Sequence, residues 1–195
     1  MLPSNLQGLT FITGNQHKAA YLAKWLDLAL PHQKADVEEL QSLDLAEIVA
    51  HKARGAYDLV RKPVLVEDVA LTFHALGRLP GPLIKWFLEE LTPAGLPKIL
   101  QAYSDKSATA SIMYGLYDGT TLRTFEAHVS GTVAPEPRSS GTSAWNTTTS
   151  WNSVFIPDGS NKTYGQMTDE ELLPYSHRAK AIAKLRAYLT DPTAS

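Results

Sequence analysis

The chain has 195 residues, 44% of them apolar, enough to bury a real core in one domain or two closely joined lobes. Its formal net charge of −2 supplies no global basic field for nucleic acid, and its lack of cysteine excludes disulfides, thiolate nucleophiles and thiolate metal sites. The N-terminus has no basic start followed by an apolar core, and no apolar run approaches the roughly 20 residues of a membrane helix, so a soluble cytoplasmic protein without a membrane partner is expected.

Residues 9–12 form a short apolar, β-leaning run that ends in Thr13-Gly14-Asn15. Leu22, Trp25, Leu26, Ala29 and Leu30 then fall at helical spacing, predicting a helix over 16–30 that Pro31 stops and Asn15 caps. An acidic stretch, 35–43, leads to a second helix, Leu45–Val60, with Ile48, Val49, Lys52, Ala53, Ala56 and Tyr57 in register. Residues 63–66 read as a compact apolar strand ending in Glu67-Asp68. Leu79-Pro80-Gly81-Pro82 is a rigid turn before a helix through Lys85, Trp86 and Leu88, and a further short helix is expected over 96–103. Two strands, 108–117 and 121–133, flank a turn at Asp118-Gly119. Residues 134–150, rich in Pro, Ser, Thr and Gly, form a loop of a length that is usually functional or disordered. The last helix covers 176–189, with Ile182, Leu185 and Leu189 on one face. With no internal repeat and no linker, a single domain over 1–195 is expected.

Thr13-Gly14-Asn15-Gln16-His17-Lys18 lies between a strand and a helix. Exposed N–H groups at a helix N-terminus favour phosphate, Gly14 permits close approach, and Lys18 sits in the first turn; a solvated lysine in an ordinary strand–turn–helix fits the same six residues. Glu67-Asp68 stands at the end of a buried strand, where an α/β sheet usually binds ligands, and Glu38-Glu39 lies in the acidic loop. Carboxylates from two loops, with phosphate oxygens and water, suit Mg²⁺, although each one taken alone reads better as a solvated surface acid. Ser176 is a plausible N-cap, and His177 and Arg178 follow where an anion would dock. Trp151 and Phe155 are rings of the kind that stack on a base or fill a core. The six histidines show no metal-site pair spacing, and neither a Walker A nor a G-x-S-x-G pattern is present.

From about Leu9 to Leu189 the sequence resembles the inosine triphosphate pyrophosphatase family. The most specific block is PVLVEDVALTFHALGRLPGPLIKWFLEEL, flanked by FITGNQHK, WNSVFIPDG, TYGQM and YSHRAKAI in the family's order. The resemblance implies an elongated α/β fold with a mixed sheet flanked by helices, two lobes with a central nucleotide cleft, usually as a homodimer. It implies hydrolysis of nucleoside triphosphates such as ITP, XTP and dITP to the monophosphate and pyrophosphate. It assigns Thr13, Asn15 and Lys18, with Gly14 in the turn, and Lys85 to the phosphates. Glu39 and Asp68 become the Mg²⁺ carboxylates, Asp68 also the proton acceptor. Trp151 and Asn152 fall in the base pocket, and Ser176, His177 and Arg178 form the closing nucleotide contacts.

Three departures stand out. Thr149-Ser150-Trp151-Asn152 replaces the family's run of aromatic, Gly, aromatic and Asp. Leu172 replaces a lysine four residues before Ser176-His177-Arg178, and Val69 replaces a hydroxyl residue. Asn152 carries a donor where a carboxylate only accepts, and Leu172 offers none to an exocyclic oxygen. Lys162, or a backbone N–H of the 142–150 loop, is the alternative donor. Two other readings stay open: the same reaction with a shifted or relaxed base range, and a nucleotide binder with little turnover.

Overall fold

The computed structural model describes residues 4–140 and 150–191. β1 (Thr10–Ile12) is fully buried and leads into α1 (Gln16–Leu26) through Asn15. The Asn15 side-chain oxygen accepts from the backbone of His17 and Lys18 at 2.9 and 3.2 Å, satisfying two N–H groups left open in the first turn. α1 ends four residues earlier than its apolar spacing predicts. Asp27 adopts a left-handed conformation (φ 55°), and the backbone then extends into β2 (His32–Gln33), which pairs in parallel with β1. Phe11 N–H donates to Pro31 O and Thr13 N–H to Gln33 O, so the ladder claims backbone that further helix would have used.

α2 (Leu45–Val60) has the expected bounds. Asp44 caps it by accepting from Ala46 and Glu47, and Ile48, Val49, Ala53 and Ala56 are buried. β3 (Val64–Phe73) does not end at Glu67 but runs on for six more residues, because Glu67 is neutralised where it stands, as described below. β4 (Pro80–Gly81) pairs antiparallel with β3. α3 (Ile84–Ile99) is two helical pieces broken at Thr92 (φ 56°, ψ 170°). Pro93 opens the second piece, a position where its missing N–H costs nothing, so that piece starts and ends before the expected 96–103. β5 (Ser107–Tyr117) and β6 (Leu122–Val133) lie close to their predicted spans. Their four-residue connection joins an antiparallel pair. Gly119 takes φ 99° there while the Asp118 carboxylate accepts from Thr120 and Thr121. β7 (Phe155–Pro157) pairs antiparallel with β6. α4 (Asp169–Leu172), unanticipated, is closed by a Thr168–Glu171 capping box. α5 (His177–Thr190) completes the chain, with Ala181, Ile182, Leu185 and Leu189 buried.

The sheet order is β2-β1-β3-β5-β6-β7, with β4 on β3, and it mixes parallel and antiparallel pairs. The chain thus adopts the expected α/β class. Its contacts divide into two compact units. One takes residues up to Asp68, Ile112–Ala127 and Arg178 onward; its core includes Ile12, Val49, Ala53, Ala56, Val64, Val66 and Met113. The other takes Val69–Ser111 and His128–His177, around Leu71, Phe73, Leu96, Val129, Phe155 and Tyr164. Among the described residues no helix is long and apolar enough to cross a membrane.

Gly115 allows β5 and α2 to approach closely. A Cβ there would lie 2.4 Å from Val49 Cγ1 and 3.3 Å from Val66 Cγ2. Gly115→Ala is expected to destabilise by about 1–3 kcal/mol through overpacking. Adding Val49→Ala should relieve part of that loss, so that the double variant loses less than the sum of the singles in urea denaturation; strict additivity would show that the contact is not the cause.

Candidate active site

In the first unit the strand–turn–helix 13–18 places Thr13, Asn15 and Lys18 together. Thr13 Oγ1 accepts from Asn15 N–H at 3.1 Å, and the Asn15 oxygen is spent on the helix cap. Gly14 is exposed, and a Cβ there would press on the Lys34 stem at 3.4 Å. Lys18 reaches Glu67 (Nζ to Oε1 2.7 Å), and Arg178, from the first turn of α5, takes the other Glu67 oxygen. Glu67 is 3% exposed. The Tyr114 hydroxyl lies 3.5 Å from Arg178 Nη1.

Successive residues on a strand point to opposite faces, and the partners of the acidic pair follow that rule. Glu67 meets α1 and α5, whereas Asp68 meets Lys52 of α2, its Oδ2 3.4 Å from Nζ. Lys52 also donates to Glu67 O at 3.1 Å. The pair is therefore not one two-carboxylate clamp. Glu39 is exposed in the irregular segment before α2. Among the described residues no three His, Cys, Asp or Glu side chains gather into a metal-holding group.

Lys52 and Tyr114 are the members of this site that the sequence reading did not assign a role, and Glu67, offered there with Asp68 as a ligand-facing carboxylate, meets Lys18 and Arg178 instead. The available signals were a lysine on the otherwise apolar face of α2 and a carboxylate inside an apolar strand.

The second unit carries an aromatic cluster. Trp151 is 7% and His177 5% exposed. The His177 ring lies parallel to Tyr164 at 5.8 Å between centroids and tilted to Trp151 at 5.6 Å. Tyr164 and Trp151 also pack on Phe155, and the Tyr164 hydroxyl donates to Tyr175 O at 2.6 Å. Trp151 is thus already enclosed by rings. Asn152 is half-buried in the single turn that Ser150 caps. Ser176 is buried, with extended backbone just ahead of α5. Leu172 is a core residue of α4, and Lys162 is bound to Glu171 at 2.6 Å, so the alternative donor is already engaged. Thr149 and the rest of 141–149 lie outside the described residues. Lys85 is exposed in the first turn of α3, its Nζ 5.1 Å from the Trp86 ring centroid.

Burial raises the Glu67 pKa, but the charges of Arg178 and Lys18, with hydrogen bonds from Lys18 and Tyr114, outweigh it and hold the carboxyl at about 2 against an ordinary 4.5. Burial lowers the Arg178 pKa, yet the Glu67 charge raises it above its ordinary value. Burial, then the Glu67 charge, pushes the Tyr114 phenol well up. Removing one partner of such a buried pair typically costs about 3–5 kcal/mol. A carboxyl with a depressed folded-state pKa contributes stability above its unfolded pKa and loses it as pH falls toward the folded one. Wild-type stability in chelator-containing buffer is therefore expected to fall as pH drops from about 4.5 toward 2, and Glu67→Gln should flatten part of that fall. Parallel denaturation curves for the two proteins would remove Glu67 as the cause.

Residues 9–188 match the Ham1 family. An inosine triphosphate pyrophosphatase of Schizosaccharomyces pombe is 38% identical over 188 residues, covering 94% of this chain and 96% of that one. Inosine triphosphate pyrophosphatase 2 of Trypanosoma cruzi is 39% identical over 184 residues, covering 92% and 91%. Among solved structures, a HAM1 protein from Coxiella burnetii superposes with a TM-score of 0.80 at 23% identity, covering 94% of this chain and 98% of that one. A match along nearly the whole length, at this identity and with this fold, places the chain in the Ham1 family.

Proposed function

We propose that this chain hydrolyses nucleoside triphosphates, deaminated purine nucleotides such as ITP, XTP and dITP among them, to the monophosphate and pyrophosphate, and so clears them from the nucleotide pool. The observation that carries this reading is the convergence of Lys18 and Arg178 on Glu67 beside the capped turn at Thr13, with Asp68 and its partner Lys52 at the next position of the strand. Cations for phosphate and a carboxylate for a water proton are the parts this reaction needs. The names of the relatives at 38–39% identity support the same activity.

In this reading Thr13, Gly14, Asn15, Lys18, Lys85 and Arg178 hold the triphosphate, and Trp151, Asn152, Ser176 and His177 serve the nucleoside. Asp68 accepts the proton of the water that attacks the α-phosphorus, and the cations offset charge on the leaving pyrophosphate. Mg²⁺ is the fitting metal. The available donors are carboxylate oxygens, which suit a hard cation; Asp68 pairs with Lys52 at 3.4 Å and is about a quarter exposed, whereas the buried Glu67 faces a cation at each oxygen. Asp68 and Glu39 would hold the ion, which when bound neutralises phosphate charge. A single functional domain, a homodimer and a cytoplasmic location complete the proposal.

The buried, apolar Leu172 and the engaged Lys162 favour a relaxed base range. Leu172 presents no donor, and Lys162 shares its ammonium with Glu171, so neither is a dedicated donor for a 6-oxo purine.

Asp68→Asn should lower kcat by roughly 10²–10⁴-fold, the worth of a general base, and excess chelator should abolish wild-type turnover. Wild-type kcat in that variant, or full activity in chelator, removes the assigned role. Across ITP, XTP, dITP, ATP, GTP and pyrimidine triphosphates, discrimination in kcat/KM between ITP and ATP is expected to stay below about 10³-fold, short of what a buried hydrogen-bonding site gives. A larger preference overturns the reading of the base pocket. In the same panel Lys18→Ala and Arg178→Ala should weaken all substrates by about tenfold or more, the value of a charged hydrogen bond, without reordering them.

A further inference from the structure

Glu67 occupies an unusual position for a residue beside a phosphate site. Its two oxygens are each taken by a cation: Oε1 by Lys18 at 2.7 Å and Oε2 by Arg178. The Tyr114 hydroxyl lies 3.5 Å from the same guanidinium. A carboxylate oxygen and a phosphate oxygen make equivalent demands on an ammonium or guanidinium, accepting the same charge-assisted N–H bonds. Any phosphate that binds Lys18 or Arg178 must therefore displace, or share with, Glu67.

The two cations are not equally placed. The Arg178 side chain is 12% exposed and has both Glu67 and Tyr114 beside it. The Lys18 side chain is 29% exposed and sits on a flexible four-carbon stem in the first turn of α1. Lys18 is the partner that a soluble anion can draw away, while Arg178 stays with the strand. Asp68 cannot substitute in this role, since it meets Lys52 instead.

We propose that Glu67 is a positioning residue that acts as a built-in competitor for the phosphate-binding cations: it holds Lys18 and Arg178 in the ligand-free protein, yields Lys18 to an incoming phosphate, and reclaims it as pyrophosphate leaves. Product retention is thereby limited by a negative charge already inside the site. This inference rests on the assignment of Lys18 and Arg178 as phosphate ligands made above.

The test is calorimetric titration of inorganic pyrophosphate, in chelator, into wild type, Glu67→Gln, Lys18→Gln and the double variant. Glu67→Gln is expected to bind pyrophosphate about three- to tenfold tighter than wild type, within the range of coupling between contacting charged groups. That gain should be largely lost in the Lys18→Gln background. A residue that merely supported the fold would weaken binding when removed, so the direction of the change separates the two roles. Unchanged or weaker binding in Glu67→Gln overturns the proposal. If that variant does not fold, Glu67→Asp serves, because a side chain one methylene shorter cannot span both cations; it too should tighten binding, and unchanged or weaker binding there is equally fatal. Absence of pyrophosphate binding in every protein overturns the proposal together with the assignment of Lys18 and Arg178. Pyrophosphate is not consumed, so the measurement stands apart from turnover. Tightening without cleavage of any nucleoside triphosphate would remove the proposed activity alone, and cleavage without tightening would remove this inference alone.

Discussion

A carboxylate in the middle of an apolar central strand is tolerable only if its charge is met at once, and that constraint organises the first unit. Glu67 follows Val64–Val66, all fully buried, and precedes the half-buried Asp68 within β3. Left alone, such a charge would cost several kcal/mol. Lys18 and Arg178 meet it, each from the first turn of its helix, where the helix dipole also favours negative charge nearby. One buried acid thus ties α1, β3 and α5 to a single point, and it concentrates positive potential around the Thr13–Lys18 turn. The same arrangement leaves Asp68 on the other face with Lys52, so two neighbouring acids come to have unlike environments.

Elements whose signals are local were legible in the sequence. α2 combines a capping Asp44 with apolar residues at helical spacing, and its observed bounds match the reading residue for residue. β6 shows period-two alternation after a turn that holds a positive-φ glycine. The failures lie where a distant partner decides. Ala29 and Leu30 carry a helical pattern, but the pairing of β2 with β1 claims their neighbours' backbone. β3 reads as finished at a charged pair because the cations that neutralise Glu67 stand far along the chain. Thr92 breaks α3 through its own backbone conformation, and only Pro93 hinted at the join.

The candidate site divides along the same line. Lys18 and Arg178 were picked out as anion-facing cations, and they converge, but on Glu67, a carboxylate that the reading had offered to a ligand or metal with Asp68. Asn15 was read as a cap and as a phosphate contact; its oxygen is committed to the cap. Trp151 was read as a stacking ring and as core, and it packs among Phe155, Tyr164 and His177. The Leu172 departure acquires a physical meaning from burial, since an apolar residue there completes the core around Tyr164. None of these choices follows from residue type and spacing, because each depends on which side chain from elsewhere arrives first.

The arrival order itself has a consequence. A ribosome delivers Lys18 and Glu67 well before Arg178, which contacts Glu67 across 111 positions. Until α5 emerges, the nascent strand carries a carboxylate with half its counter-charge, and the sequence-distant closure makes this a slow, high-contact-order step. Completion of the first unit is in effect deferred to the end of synthesis. Lys18, Glu67 and Arg178 therefore become a set only in chains that have been translated past Arg178, so a prematurely terminated product retains the opening turn without that charge arrangement.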